Sequence, residues 1–120
     1  MYQIVIVTST SCGACTAIGR NGALSALITK AKSLNIPVKH ERIPKTMATL
    51  CRDKRIKPWV KLFPFIAIYD KKSYDDTTIR RLKPLYVYNG KVTENTTQIN
   101  IKHKIDRSGL LGWFKSCNIE

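Results

Sequence analysis

Residues 2 to 9, YQIVIVTS, form a short run rich in β-branched side chains, the pattern of a buried strand. A turn follows, and then Cys12. From about Gly13 to Leu34 the period changes. Leu24, Leu27, Ile28, Ala31 and Leu34 fall on one face of a helix, with Gly22 inside the span able to loosen or bend it. Asn35-Ile36-Pro37 closes that helix. VKHERI, 38 to 43, alternates and predicts a second strand. KTMATLCRDKRI, 45 to 56, reads as a short helix with Met47, Leu50 and Cys51 on one side. KPWVKLFP, with two prolines, reads as a loop.

FIAIYD, 65 to 70, is a strongly β-forming third strand. KKSYDDTTIRRLK is polar and reads as a loop or extended hairpin. PLYVYNGKV, 84 to 92, predicts a fourth strand ending at the turn signal Asn89-Gly90. Residues 93 to 104 are ambiguous between strand and irregular structure. A last helix starts at Asp106 or Ser108, with Leu110, Leu111, Trp113, Phe114 and Cys117 on its apolar side. The order is β-α-β-α-β-β-α in one domain over 1–120, with no internal repeat, low-complexity tract or linker.

Composition narrows the class. At 120 residues and 43% hydrophobic, the chain can build a globular core. No apolar run approaches the length of a membrane helix. The first residues lack the basic region and small-residue cleavage site of a signal peptide. A cytoplasmic setting is therefore expected, with the four cysteines mostly reduced. Charge adds one thing. Lys+Arg 21 against Asp+Glu 8 gives +13, which suggests an anionic partner such as nucleic acid, a membrane surface or an acidic protein. The densest basic stretch holds Arg52, Lys54, Arg55, Lys57 and Lys61. No zinc-finger spacing or RNA-binding signature accompanies it.

The chemistry sits in TSTSCGACTAIG, residues 8 to 19. A helix N-terminus has unpaired N–H groups and the positive end of the dipole, so a thiolate placed there is stabilised and becomes a nucleophile. A second thiol at i+3 is close enough to form a disulfide with it. Strand, then Cys12 and Cys15, then helix suits thiol–disulfide exchange. Gly13 and Ala14 are small and leave the first sulfur open to a bulky partner. Structural zinc wants four ligands. Cys51 and Cys117 are lone cysteines, and His40 and His103 lack ligand spacing, so no metal and no cofactor is expected. A buried cysteine pair without redox use stays open as an alternative. Cys51 and Cys117 read as small core residues, and Trp59, Trp113, Phe63 and the tyrosines of YVYNG as core or strand positions.

The motif CGAC and the order of elements together resemble the thioredoxin superfamily over most of the chain, most strongly over residues 2 to 20. The β-α-β core starts almost at Met1, as in a glutaredoxin. The resemblance implies a thioredoxin-like α/β fold, a central four-stranded mixed sheet flanked by helices. It also implies a cis-proline just before the third core strand, beside the redox pair, where the preceding backbone can pair with a bound partner. Pro64 suits the interval after Cys15 better, whereas PLYVYNGKV around Pro84 looks locally more like the family's proline, strand and turn. The expectation is a cis Phe63–Pro64 bond. The chain departs from the family in three ways. Ser11 stands where thioredoxins carry Trp. Ile6 stands where they bury an acid that helps deprotonate the resolving thiol. The stretches with which glutaredoxins hold glutathione are not found.

By this resemblance the chain is a thiol–disulfide oxidoreductase acting on protein disulfides. Cys12 is the nucleophile and Cys15 the resolving thiol, with Ser11, Gly13, Ala14, Phe63 and Pro64 contacting substrate. A second reading is a basic structural or assembly protein with a non-catalytic cysteine pair. The Lys- and Ile-rich composition suits a large DNA virus and hence a virion component. Polyanion binding by the basic surface alone is a third reading.

Overall fold

Strand β1 (Tyr2–Ser9) is the spine of the molecule and is buried on both faces from Gln3 onward. It pairs in parallel with β2 (Val38–Ile43) and antiparallel with β3 (Phe65–Asp70). The computed structural model describes residues 1–92, 97–99 and 103–119, with 97–99 described by backbone alone. Alternation along β1 and β3 divides the core. Ile4, Ile6, Ile66 and Ile68 face one side, packed with Ile18, Leu27, Leu110 and Phe114. Val5, Val7, Phe65, Ala67 and Tyr69 face the other, packed with Cys51, Ile56, Trp59 and Leu82. The helical side comprises α1 (Gly13–Arg20), α2 (Ala23–Ser33) and α4 (Arg107–Ser116).

The strands run in the order β2-β1-β3-β4-β5-β6, with β4 at Tyr86–Val87, β5 at Gly90–Val92 and β6 at Thr97–Ile99. A mixed sheet flanked by helices was expected, but with four strands instead of six. The Asn-Gly signal lies inside PLYVYNGKV and not at its end. Val87 pairs with Gly90 across Tyr88-Asn89, and Asn89 takes the left-handed conformation at φ 55°. The expected fourth strand is thus a hairpin, and β6 arises from the segment whose pattern was ambiguous.

The expected helix over 13–34 is two helices. Gly22 sits at φ 82°, a left-handed conformation that ends α1 and opens α2, and the Asn21 Oδ1 accepts the Ala23 amide at 3.0 Å. The expected helix over 45–56 is reduced to one 3₁₀ turn, Ala48–Leu50. Side chains capture the amides there: Glu41 accepts from Arg52 N at 2.9 Å and Asp53 from Arg55 N at 3.0 Å. Of the three residues expected on that helix's apolar side, Met47 and Leu50 are exposed in consequence and Cys51 is buried. The polar stretch after β3 starts with the five-residue α3 (Lys71–Asp75), capped by Asp70, whose carboxylate accepts the Ser73 amide at 3.0 Å.

Helix α4 starts after Asp106, whose Oδ1 accepts the Gly109 amide at 2.8 Å. Gly109 lies so close to the chain before the helix that a Cβ there would collide with the Lys104 carbonyl. Leu110, Trp113, Phe114 and Cys117 are buried, while Leu111 is half-buried. The Tyr88 ring meets Trp113 edge-on, 5.6 Å between centroids. The Phe63–Pro64 bond is cis, as expected, and the bond before Pro84 is not. Among the described residues no helix is long and apolar enough to cross a membrane.

Candidate functional site

The chain leaves β1 at Ser9 and turns sharply into α1. Thr10 anchors the turn to the end of β2: its amide donates to the Ile43 carbonyl at 3.2 Å and its hydroxyl to the Pro44 carbonyl at 3.0 Å. The Ser9 and Ser11 hydroxyls lie 3.0 Å apart, and the Ser9 oxygen accepts the Ser11 amide. The Cys12 amide donates back to the Ser9 carbonyl at 3.3 Å. This hydrogen-bonded bend sets Cys12 at the N-cap of α1 with extended backbone.

Serine, threonine and aspartate are the usual residues at such a cap, because their oxygen satisfies an orphan amide of the first turn. Here sulfur does it. The Cys12 Sγ accepts from the Cys15 N–H at 3.1 Å. The Cys12 carbonyl takes the Thr16 amide at 3.1 Å and the Thr16 hydroxyl at 3.2 Å. No acidic side chain occupies the first turn to compete for these donors. A negative charge on Cys12 would face the amide of Cys15 and the positive end of the α1 dipole.

Cys15 points inward one turn later. Burial pushes its thiol well above the ordinary range, the neighbouring Cys12 sulfur pushes it further, and the backbone at Ser9 opposes only in part. Cys15 therefore holds its proton in the resting dithiol. Both sulfur-bearing residues are mostly covered, at 7% exposure each, whereas Ser11 and Gly13 are exposed and Ala14 is half-buried. A Cβ at Gly13 would meet nothing within 4 Å, so the space above it is open.

Ser11, Cys12, Gly13, Ala14 and Cys15 form one continuous ledge. Phe63 and Pro64 come from another part of the chain. Pro64 is buried and immediately precedes Phe65, which pairs with Val7 near the C-terminal end of β1. Register thus brings it to the same end of the sheet as the cysteines. Phe63 is half-buried against the core beneath Val5 and Val7.

The other cysteines are remote from the pair in environment. Cys51 is fully buried on one sheet face and Cys117 is buried on the other, with the Cys117 Sγ donating to the Trp113 carbonyl at 3.3 Å. Burial pushes both thiols up, that of Cys117 to about 11. Ile6 is completely buried among apolar side chains, so the strand leading to the motif supplies no acid there. Among the described residues no group of three or more His, Cys, Asp or Glu could hold a metal ion.

The basic stretch at 52–61 needs one correction. Arg55 is not part of a free cationic surface. It grips both carboxylate oxygens of Asp53 at 3.0 and 2.9 Å, donates to the Tyr74 and Asp76 carbonyls, and lies over the Tyr74 ring. Arg52, Lys54, Lys57 and Lys61 are exposed.

One feature beside the motif escaped the sequence reading. A cleft of about 330 Å³ opens on the β2 side of Cys15, walled by Thr8, Thr16, Arg20, His40 and Arg42. The Thr8 hydroxyl meets the His40 Nε2 at 2.8 Å. Burial, and then the Arg42 charge, hold His40 below the usual imidazole range. Alternation in VKHERI puts His40 and Arg42 on one face, but only the parallel register, Ile6 with His40 and Thr8 with Arg42, sets that face beside the motif.

Comparison with known proteins finds no match: no protein-family model, no curated protein and no solved structure is significantly similar to this chain.

Proposed function

We propose that the chain is a thioredoxin-like thiol–disulfide oxidoreductase working on protein disulfides in a reducing, cytoplasmic setting. One observation carries the reading: Cys12 caps α1 through its sulfur, with the Cys15 amide on that sulfur at 3.1 Å and the Cys15 thiol one turn behind it. The order of elements and the position of Pro64 before β3 support the family assignment.

In this mechanism the Cys12 thiolate attacks one sulfur of a substrate disulfide. That S–S bond breaks, a Cys12–substrate mixed disulfide forms, and the departing sulfur takes up a proton. The charge of Cys12 is thereby consumed, which removes one of the causes that hold the Cys15 proton in place. Cys15 then attacks the Cys12 sulfur. Its proton passes to the second departing substrate thiolate. The substrate gains two electrons and two protons, and Cys12–Cys15 becomes a disulfide that an external dithiol must reduce for another turnover. Ser11, Gly13, Ala14, Phe63 and Pro64 would line the approach to Cys12.

A second reading is a basic scaffold, including a virion component, with a non-catalytic pair. It draws on the low exposure of both thiols and on the charge of +13. Trapping separates the two. Without Cys15, attack by Cys12 stops at the mixed disulfide, so Cys15→Ser expressed in its native setting should accumulate a few discrete, dithiothreitol-sensitive adducts. Cys12→Ser, Cys15→Ser should accumulate none. If Cys15→Ser captures nothing while the unaltered protein reaches its normal assemblies, the scaffold reading replaces this one.

A further inference from the structure

The geometry points to a carboxylate-binding subsite in the cleft beside Cys15, formed by Arg20 and Arg42, which selects disulfide substrates carrying acidic residues next to the reacting cysteine. This rests on the oxidoreductase reading and concerns which substrates that site takes.

Positive charge alone would say little on a surface with 21 Lys and Arg. What sets this cleft apart is that its unbalanced charge lies beside Cys15. No Asp or Glu lines it. The ion pairs among the described residues are Arg55 with Asp53 and Lys71 with Asp75, so neither Arg20 nor Arg42 is joined to a carboxylate. Arg55 shows the contrast, since carboxylate and carbonyl oxygens occupy its guanidinium. The nearest acid in sequence, Glu41, alternates to the other face of β2 and is occupied by the Arg52 amide at 2.9 Å. Arg20 and Arg42 therefore line a concave space with no carboxylate partner among the described residues, and a carboxylate matches the fork geometry of a guanidinium.

Position supplies the rest. Cys15 is itself part of the wall, so a group bound in the cleft lies beside the reacting sulfurs. Along α1, Cys15 to Arg20 spans about 7.5 Å. An extended substrate covers that distance in about two or three residues. Thr10 ties the mouth of the cleft to Pro44, and the Thr8–His40 contact braces its floor. A polyanion such as nucleic acid would also be attracted, but it has no disulfide to offer the thiols, so the protein carboxylate is favoured.

The test uses the reduced full chain and two synthetic peptides, each closed by an internal disulfide. They differ only in carrying Glu or Gln two and three residues from one cysteine. Reduction is followed by chromatography at low and high salt. The Glu peptide should be reduced with a second-order rate constant at least about fivefold higher at low salt, the scale of one or two exposed ion pairs. High salt should shrink that ratio. Arg20→Gln with Arg42→Gln should bring it close to one, and Arg20→Glu with Arg42→Glu should invert it. Both positions are exposed, so the fold tolerates these changes. Equal rates on the two peptides, or a preference that survives the double substitution, would overturn the subsite while leaving the oxidoreductase reading standing. Reduction of neither peptide would remove both, and the Cys15→Ser trapping result shows separately whether the thiols react at all.

Discussion

The backbone amide of Cys15 points at the sulfur of Cys12 from 3.1 Å. A single contact thus does two jobs. It closes the first turn of α1, and it offers a donor to whatever charge Cys12 carries. The structural and chemical roles of Cys12 can be separated because serine serves only the first. Cys12→Ser should keep the stability of the original within a few tenths of a kcal/mol, whereas Cys12→Ala should lose about 1 kcal/mol with the cap. Urea unfolding of the two variants measures this. Equal losses in both would mean that the sulfur contact contributes nothing as a cap.

Thiol reactivity gives a second check. Burial holds Cys15, Cys51 and Cys117 above the ordinary thiol range. Each unit of upward shift removes about tenfold of the reactive thiolate at a given pH. With limiting iodoacetamide near neutral pH, Cys12 should label at least about tenfold faster than the other three. Peptide mapping by mass spectrometry reads the order directly. Labelling of Cys15 as fast as Cys12 would contradict the assigned roles.

Two glycines of α4 should respond in opposite directions. A methyl group at Gly109 has nowhere to go but into the Lys104 carbonyl, so Gly109→Ala should cost about 1–3 kcal/mol. Gly112 has nothing within 4 Å of its would-be Cβ, and Gly112→Ala should add up to about 1 kcal/mol through helix propensity. Paired thermal melts test both. A neutral Gly109→Ala would show that the approach of residue 104 to the helix is not fixed.

Acid stability should carry a contribution from Asp53. Burial alone would raise its carboxyl, but the Arg55 hydrogen bonds and charge outweigh that and hold it below the usual range. A carboxylate depressed in the folded state stabilises the fold above the unfolded value of about 3.9 and loses that contribution as pH falls through the folded value. Asp53→Asn should therefore be less stable by about 1 kcal/mol near neutral pH. The gap should narrow below about pH 4. Denaturation curves across that range would refute the pairing if the gap were constant.

Where the sequence was legible, one signal acted without competition. YQIVIVTS, VKHERI and FIAIYD are strands with the limits their patterns suggest, since the first and third are short β-forming runs, the second alternates, and no turn residue interrupts any of them. The start of α1 at Gly13 was equally readable from the motif. Elsewhere two signals conflicted. Gly22 lies inside a helical span that it was expected to loosen or bend, and its left-handed backbone turns that bend into a full break. Residues 45–56 carry a helical spacing, yet Glu41, from another strand, holds the Arg52 amide. Such long-range captures leave no local trace. The cleft walled by Arg20, His40 and Arg42 depends on strand register, which no spacing along the chain encodes.

Cys51 and Cys117 lie in separate cores on opposite faces of one sheet, and neither core includes Cys12 or Cys15. Disulfide interchange needs sulfur to touch sulfur. Cys51 is completely buried, so while the chain stays folded its sulfur is out of reach of Cys12 and Cys15. A molecule found with Cys51 in a disulfide has therefore opened that core at some time since it was made. Cys51 mispairing in an aged preparation is a tally of past opening, readable on a non-reducing gel for as long as the bond lasts.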